Sequence, residues 1–495
     1  MNLKETPSGI LVIIIGILFL VSCKTDDYVN ITKKGREPVL EPDYSGVTIP
    51  YNIAPMNFLI SEEGKSFKIV ATNSNGLNLS VRSSDGIVRF PQKAWGKFIS
   101  ESRGGTIQIS VISEERQRKA VIFDPVTIFV VNDPIDPYIC YRLLYPGYES
   151  WGEMKIVQRS TGDFMESSVI ENQLLEDNCV NCHSFNQNNP GRFLLHIRGS
   201  KAGTYFVDGN KITRRELRTQ EMFANAVYPS WHPSGKFVAF SSNKIIQAIH
   251  MRPEKDNEFY DIYSSLVLYD IEKNEISDCA ESDTIKYMET FPCWSPAGDF
   301  IYYCRTGQVQ DGFDFRQTRY DLAMMPFDQG NGKFGKPEII FNALAVNKSA
   351  SLPAISPDGQ YLVFTLHDYG SFPVWHKEAD LYLLQLKSGK VNRMSLNSDE
   401  TESYHGWSSN GRWLVFSSKR GDGLTSRPYF AYFGSPDNIG KPFVLPQHDP
   451  TLYKRMEKTY NRPEFLTGKI KARPRDFEKA ARKESIKSVW VDKKQ

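Results

Sequence analysis

The sequence predicts an all-β protein: an N-terminal β-sandwich, then a propeller of repeated four-stranded units, then a short helical C-terminal tail. Three observations predict it. A hairpin pattern recurs at least four times between residues 228 and 418. Aromatic residues make up 13% of the chain and sit in short segments punctuated by Gly and Pro, the composition of pleated, half-buried strands. Long runs with helical periodicity are missing until the last fifty residues, and no G-x-S-x-G occurs, which removes the nucleophile-elbow signature of a hydrolase domain.

The four repeats are YPSWHPSGKFVAFSS (228–242), FPCWSPAGDFIYYC (291–304), LPAISPDGQYLVFTL (352–366) and YHGWSSNGRWLVFSS (404–418). In each, a short strand ends at Trp or Ile, an S-P-D-G-type turn comes next, and an aromatic-aliphatic strand returns. The turn glycine permits the left-handed backbone of a tight hairpin. A second strand pair succeeds each hairpin, as in 380–386 and then 390–396. Four strands per unit of roughly fifty residues reads as a β-propeller.

These W/I-S-P-D-G-x-aromatic hairpins resemble the TolB-type propeller repeat, over residues 138–446, and the resemblance implies six blades. Two are then degenerate. One is built from 138–144, 154–159 and 168–170. In the other, Asn181-Cys-His-Ser-Phe185 runs into a strand, Asn189-Pro190-Gly191 replaces S-P-D-G, 192–198 returns, and 204–212 forms the outer hairpin.

Ahead of the propeller, 66–72, 106–112 and 120–123 alternate apolar and polar residues, predicting a small β-sandwich over 45–135. It reads as a spacer. Asp133-Pro-Ile-Asp-Pro137 is a stiff joint to the first blade. After 446 the chain turns basic: 451–495 holds 14 Lys+Arg against 6 Asp+Glu. Pro474 is placed to open a helix running to Arg482.

The N-terminus sets the compartment. Lys4 precedes an uncharged apolar run, 10–21, the length of a signal-peptide core and short for a membrane span. It ends in Leu20-Val21-Ser22-Cys23, which resembles the lipobox of bacterial lipoproteins. That resemblance implies cleavage after residue 22, an acylated Cys23 that anchors the chain to a membrane, and a tether over 23–44. Asp26 and Asp27 resemble the acidic export signal of Bacteroidetes-type surface lipoproteins. The expected location is the outer membrane, on its periplasmic or cell-surface face. A net charge of +2 argues against a dedicated nucleic-acid binder.

The loop over 176–191 carries Cys179-Val-Asn-Cys182-His183, the attachment signature of c-type haem. Two thioethers anchor the macrocycle edge, and the adjacent histidine reaches the iron as an axial ligand. The expected cofactor is one covalent haem c on Cys179 and Cys182, with His183 as proximal ligand. A Cys179–Cys182 disulfide is the main competing reading. A zinc site lacks a second pair of ligands, and unpaired core cysteines do not require this spacing. Candidate distal ligands, in order, are His250, His405 and His196, with Met222 and Met251 behind them. His232 falls in a turn on the opposite face, and His367 at the exit of a distant blade. Cys279, Cys293 and Cys304 read as buried thiols of one blade.

The functional expectation is therefore a membrane-anchored c-type haem protein on a TolB-like propeller, working in electron transfer or redox sensing with an envelope redox partner. The alternative is a non-redox TolB-like scaffold that binds an envelope protein or a glycan, with the two cysteines joined as a disulfide.

Overall fold

A computed structural model describes residues 28–146, 152–248, 257–279, 286–309 and 314–492, the Cys182 side chain excepted. Six four- to five-stranded sheets, antiparallel but for two short edge strands, succeed one another along the chain, and blades 2 to 6 each begin with a strand that ends in a hairpin turn. Blades 3 to 6 open with Ala226–Trp231, Tyr287–Trp294, Ser349–Ile355 and Glu402–Trp407. Blade 2 opens with Cys179–Phe185, pairs it with Arg192–Arg198, and continues through Gly203–Asp208 and Lys211–Glu216. All-β architecture with a short helical tail is thus the observed fold. Leu194, Phe240, Tyr303, Phe364 and Phe416 in the second strands are all at most 1% exposed and fill the space between blades. Burying such rings is the main stabilising term for stacked sheets.

The ring closes through a strand beyond the residues that the repeat pattern assigns to the propeller. Thr459–Leu466 pairs antiparallel with Tyr138–Leu144 and becomes the innermost strand of blade 1, whose outer strands are Met154–Ser160 and Glu166–Glu171. The propeller therefore reaches beyond residue 446. The chain after this strand is fastened down. The predicted helix forms at Pro474–Ala481, with proline in its first turn and Asp476 accepting the Arg473 backbone N–H at 3.0 Å, a cap that satisfies an otherwise orphaned donor. Its Phe477, fully buried, packs with Phe193 and Leu175. Ile486–Lys487 and Val489–Trp490 then add parallel edge strands to blades 2 and 3.

The N-terminal domain holds a seven-stranded sheet and a three-stranded sheet. In Ser66–Asn73 every second residue is buried, the period of a one-sided strand. Two expectations change here. Asn30–Lys33 pairs with Lys119–Ile122, and Leu40–Glu41 with Phe58–Ile60, so residues 30–41 belong to the sheets rather than to a tether. A helix, Gln92–Glu101, also joins the domain and buries Trp95, Phe98 and Ile99 on one face. Nor is the domain a detached spacer. Ile49, Trp95 and Ile128 share one core with Ile139 of blade 1 and Trp413 and Phe430 of blade 6. The proline-rich joint is clamped as well: Asp136 accepts from the Ser409 N–H at 2.7 Å, and Trp413 Nε1 donates to the Asp133 carbonyl at 3.2 Å.

Candidate functional site

All six inner strands carry the same irregularity. Register shifts fall between Asn181 and Ser184, Val227 and Ser230, Thr290 and Cys293, Ser351 and Ala354, and Ser403 and Gly406, and in blade 1 where the closing strand passes Arg462. A bulge leaves one residue unpaired and re-aims its side chain. Tyr228, Phe291, Leu352, Tyr404 and Arg462 occupy this position with φ of 50°, 54°, 54°, 42° and 48°, a left-handed backbone that bulky residues rarely adopt. Recurrence in five blades marks it as a property of the fold. These five residues line the central channel. Cys182 holds the same register position in blade 2, and His183 holds the place taken by Pro229, Pro292, Pro353, His405 and Pro463. Cys179, at the start of the same strand, borders the channel.

The channel has two chambers. The upper one, about 510 Å³, opens among the hairpin turns and is walled by prolines, Trp231, Trp294, Trp407 and Phe465. The lower one, about 190 Å³, opens where the inner strands begin. Its wall includes Cys179, Asn181, Arg142 and Arg198, and Trp375 and Lys419 from blades 5 and 6. Between them lies a neck of about 20 Å³ formed by His183, Arg142, Asn181, Tyr228, Tyr404, Asn461 and Arg462.

His183 is 1% exposed. Its ring stands 5.8 Å from that of Phe185, and its Nε2 lies 3.8 Å from Oε1 of Glu464 on the closing strand. Burial, reinforced by the charges of Arg462 and Arg142, holds its pKa well below the usual histidine value, so the imidazole is neutral. A hydrogen bond ties it to the Arg462 backbone. Nε2 has no hydrogen-bond partner, so the other nitrogen makes that bond. Metal-ligating histidines show this arrangement: one nitrogen fixed to a carbonyl, the other presenting its lone pair. Glu464 is held by the Phe185 N–H at 3.3 Å and by Arg462 at 3.1 Å. Burial pushes its carboxyl upward against the pull of Arg462.

Cys179 borders the lower chamber, and His183 lines the neck above it. By residue type, Cys179 and Cys182 would carry the thioethers of a c-type haem and His183 would be its ligand. The chambers set the terms of entry, because 190 Å³ falls below the ~300 Å³ of pockets that enclose a drug-sized ligand. The lower chamber is too small to enclose a whole macrocycle. No cluster of three or more His, Cys, Asp or Glu side chains able to hold a bare metal ion occurs among the described residues.

The other expected ligands are dispersed. His405 lines the upper chamber, with Nε2 bonded to the Val363 carbonyl at 3.0 Å and its pKa lowered to about 4 by burial. His196 sits in the second strand of blade 2, 3.4 Å from Thr204 Oγ1, its pKa lowered to about 3 by burial. Neither borders the lower chamber. Met222 is a core residue beside Trp231. His250 and Met251 lie outside the described residues, as does Cys23. His232 sits in its turn, bonded to the Gly298 carbonyl at 3.0 Å. His367 is buried and bonded to Ser351 Oγ at 2.8 Å. Cys293 and Cys304 are not bonded to each other. Sequence reading missed Arg462 and Glu464. Their signal was Arg462-Pro463-Glu464-Phe465, which matches Tyr228-Pro229-Ser230-Trp231 position for position.

No family model and no curated protein matches this chain. Among solved structures it is similar to TolB from Acinetobacter baumannii, at 13% identity and a TM-score of 0.40, over 73% of this chain and 79% of that one. It is also similar to the β-propeller domain of the Trilobed protease from Pyrococcus furiosus, at 11% identity and a TM-score of 0.32, over 69% and 91%. A third likeness is to hydrazine synthase from Kuenenia stuttgartiensis, at 15% identity and a TM-score of 0.32, over 52% and 64%. The six-bladed closure stands on the strand pairing itself. No helix among the described residues is long and apolar enough to cross a membrane.

Proposed function

We propose that this chain is an envelope propeller carrying one covalent c-type haem, bound through Cys179 and Cys182 with His183 as axial ligand, for electron transfer or redox sensing. The observation that carries the proposal is the neutral, buried His183, fixed through one nitrogen and unpartnered at the other. Bound haem would supply one-electron chemistry, at a potential set by its axial ligands and its burial. The chain's part is to orient the imidazole through the Arg462 backbone, to keep it unprotonated beside Arg142 and Arg462, and to exclude water at the neck. Cys23 acylation would anchor the protein to the outer membrane, on the periplasmic or surface face, where it would meet an envelope redox partner. The rigid union of sandwich and propeller would then hold the site at a set height above that membrane.

The test is a haem stain on a denaturing gel, with intact mass, of protein made alongside cytochrome c maturation factors. Covalent haem is expected in the wild type and is lost in the Cys179→Ala/Cys182→Ala double variant. A His183→Met variant that retains the stain but shifts the optical spectrum would assign the axial ligand. Colourless wild-type protein without added mass sinks the proposal and leaves the alternative, a scaffold for a protein or glycan with the two cysteines as a disulfide.

A further inference from the structure

One edge of the N-terminal sheet gathers positive charge beside exposed aliphatic side chains. Asn30–Lys33 forms that edge and pairs in parallel with Lys119–Ile122, and the Val29 N–H reaches the Arg118 carbonyl at 3.0 Å. Segments 28–34 and 115–119 are thereby laid side by side. They hold Lys33, Lys34, Arg116, Arg118 and Lys119 against Glu115, all six exposed. None of these five cations forms an ion pair with a carboxylate of the described residues. Glu114, the neighbouring acid, is engaged by the Tyr28 and Ser66 hydroxyls at 2.7 Å each. Upstream, residues 24–27 bring Lys24 with Asp26 and Asp27, too little negative charge to cancel the excess. Val29 is 70% exposed and Ile31 54%. The strand is exposed on both faces, so these aliphatic groups fill no core. In the adjoining turn Gln117 and Arg118 have φ of 60° and 58°, a left-handed backbone that long side chains rarely adopt. Basic and aliphatic groups side by side are the composition of a contact with a membrane surface.

We propose that this edge rests on a bilayer, its cations against anionic phospholipid headgroups and Val29 and Ile31 dipping between them. The step rests on the acylated Cys23 of the functional reading. Cys23 lies five residues before Tyr28, so at full extension the edge begins within about 18 Å of the anchor. So short a link makes the surface contact intramolecular, at a roughly millimolar effective concentration. A patch that is weak by itself then suffices to fix which way the tethered protein faces. Guanidinium and ammonium groups pair with phosphates through charge-assisted bonds, stronger than neutral ones.

Vesicle flotation tests this. The protein is the chain from residue 23 with Cys23→Ser, which keeps every described residue and carries no acyl group. It should float with phosphatidylcholine vesicles containing one third phosphatidylglycerol, not with phosphatidylcholine alone, and added salt should release it. Arg116→Gln/Arg118→Gln should weaken partitioning by about twenty- to thirtyfold, at about fivefold for each charge. Val29→Ser/Ile31→Ser should weaken it as well. Lys387→Gln/Lys390→Gln, on exposed lysines at the outer strand of blade 5, should float like the parent. Equal flotation with neutral and anionic vesicles overturns the proposal, as does an Arg116→Gln/Arg118→Gln variant that floats like the parent. A dimer in analytical ultracentrifugation that this pair of substitutions dissolves, without any vesicle preference, also overturns it and gives the edge to a second copy. Intact mass of the full chain recovered from membranes reports acylation separately. An unacylated chain whose parent still prefers anionic vesicles removes the anchor and leaves the surface, whereas an acylated chain without that preference removes the surface alone.

Discussion

Phe465→Ala measures what holds the ring shut. Phe465 is 1% exposed, its ring centre lies 5.6 Å from that of Phe430, and it belongs to the core shared with the N-terminal sheets. Removing a fully buried phenyl ring forfeits about 1.5–3 kcal/mol of transfer free energy. The cavity left behind adds to that loss, since the strand is held on both sides, and the total for such a change is about 3–5 kcal/mol. Against a total stability of about 5–15 kcal/mol, this is a fifth or more. Urea unfolding followed by tryptophan fluorescence should show a midpoint lowered by that amount divided by the slope. Hydrogen exchange should quicken first in Tyr138–Leu144, whose amides face the closing strand. Glu457→Ala, on the exposed approach to the same strand, should stay within about 0.5 kcal/mol of wild type. A Phe465→Ala midpoint no lower than that control would refute closure through residues 459–466.

Two further outcomes concern buried charge. Burial, opposed by Arg305 at 3.3 Å, raises the Glu289 carboxyl from its ordinary 4.5 to about 7. Between those values the folded state keeps a proton that the unfolded chain releases, so stability should fall as pH rises from 4.5 to 7, by up to ~3 kcal/mol. Glu289→Gln should flatten that slope in melts across the window, and an unchanged slope would exclude Glu289 as its source. In blade 6, fully buried Glu402 accepts from Arg420 at 3.0 Å and from Ser418 at 2.8 Å. Arg420→Met strands that carboxylate and should cost about 3–5 kcal/mol, with Arg420→Met/Glu402→Gln recovering most of it. A double variant no more stable than the single one would show that the loss lies in packing rather than in charge.

Hairpins were legible because their causes are local. Turn glycines such as Gly235, Gly298, Gly359 and Gly411 take the positive φ that the S-P-D-G pattern requires, and the aromatic-aliphatic return strands are buried almost throughout. Pro474 likewise announced its helix through a first-turn preference that needs no distant partner. Even the degenerate blade at Cys179–Phe185 was readable, because Asn-Pro-Gly supplies turn chemistry where S-P-D-G is lost. The Gln92–Glu101 helix was harder to see: its three buried residues lie among strands and carry no capping signature.

Closure escaped because it is not local. Arg142 and Asn461, in adjacent strands of blade 1, are 319 residues apart in sequence, and the closing strand has no hairpin partner of its own to mark it. The same strand decides the chemistry of the motif. The sequence determines that two cysteines and a histidine stand together in C-x-x-C-H spacing. Only the tertiary structure brings Arg462 and Glu464 beside His183, buries the imidazole and leaves Nε2 unpartnered, because protonation and orientation depend on neighbours that the fold, and not the order of residues, supplies.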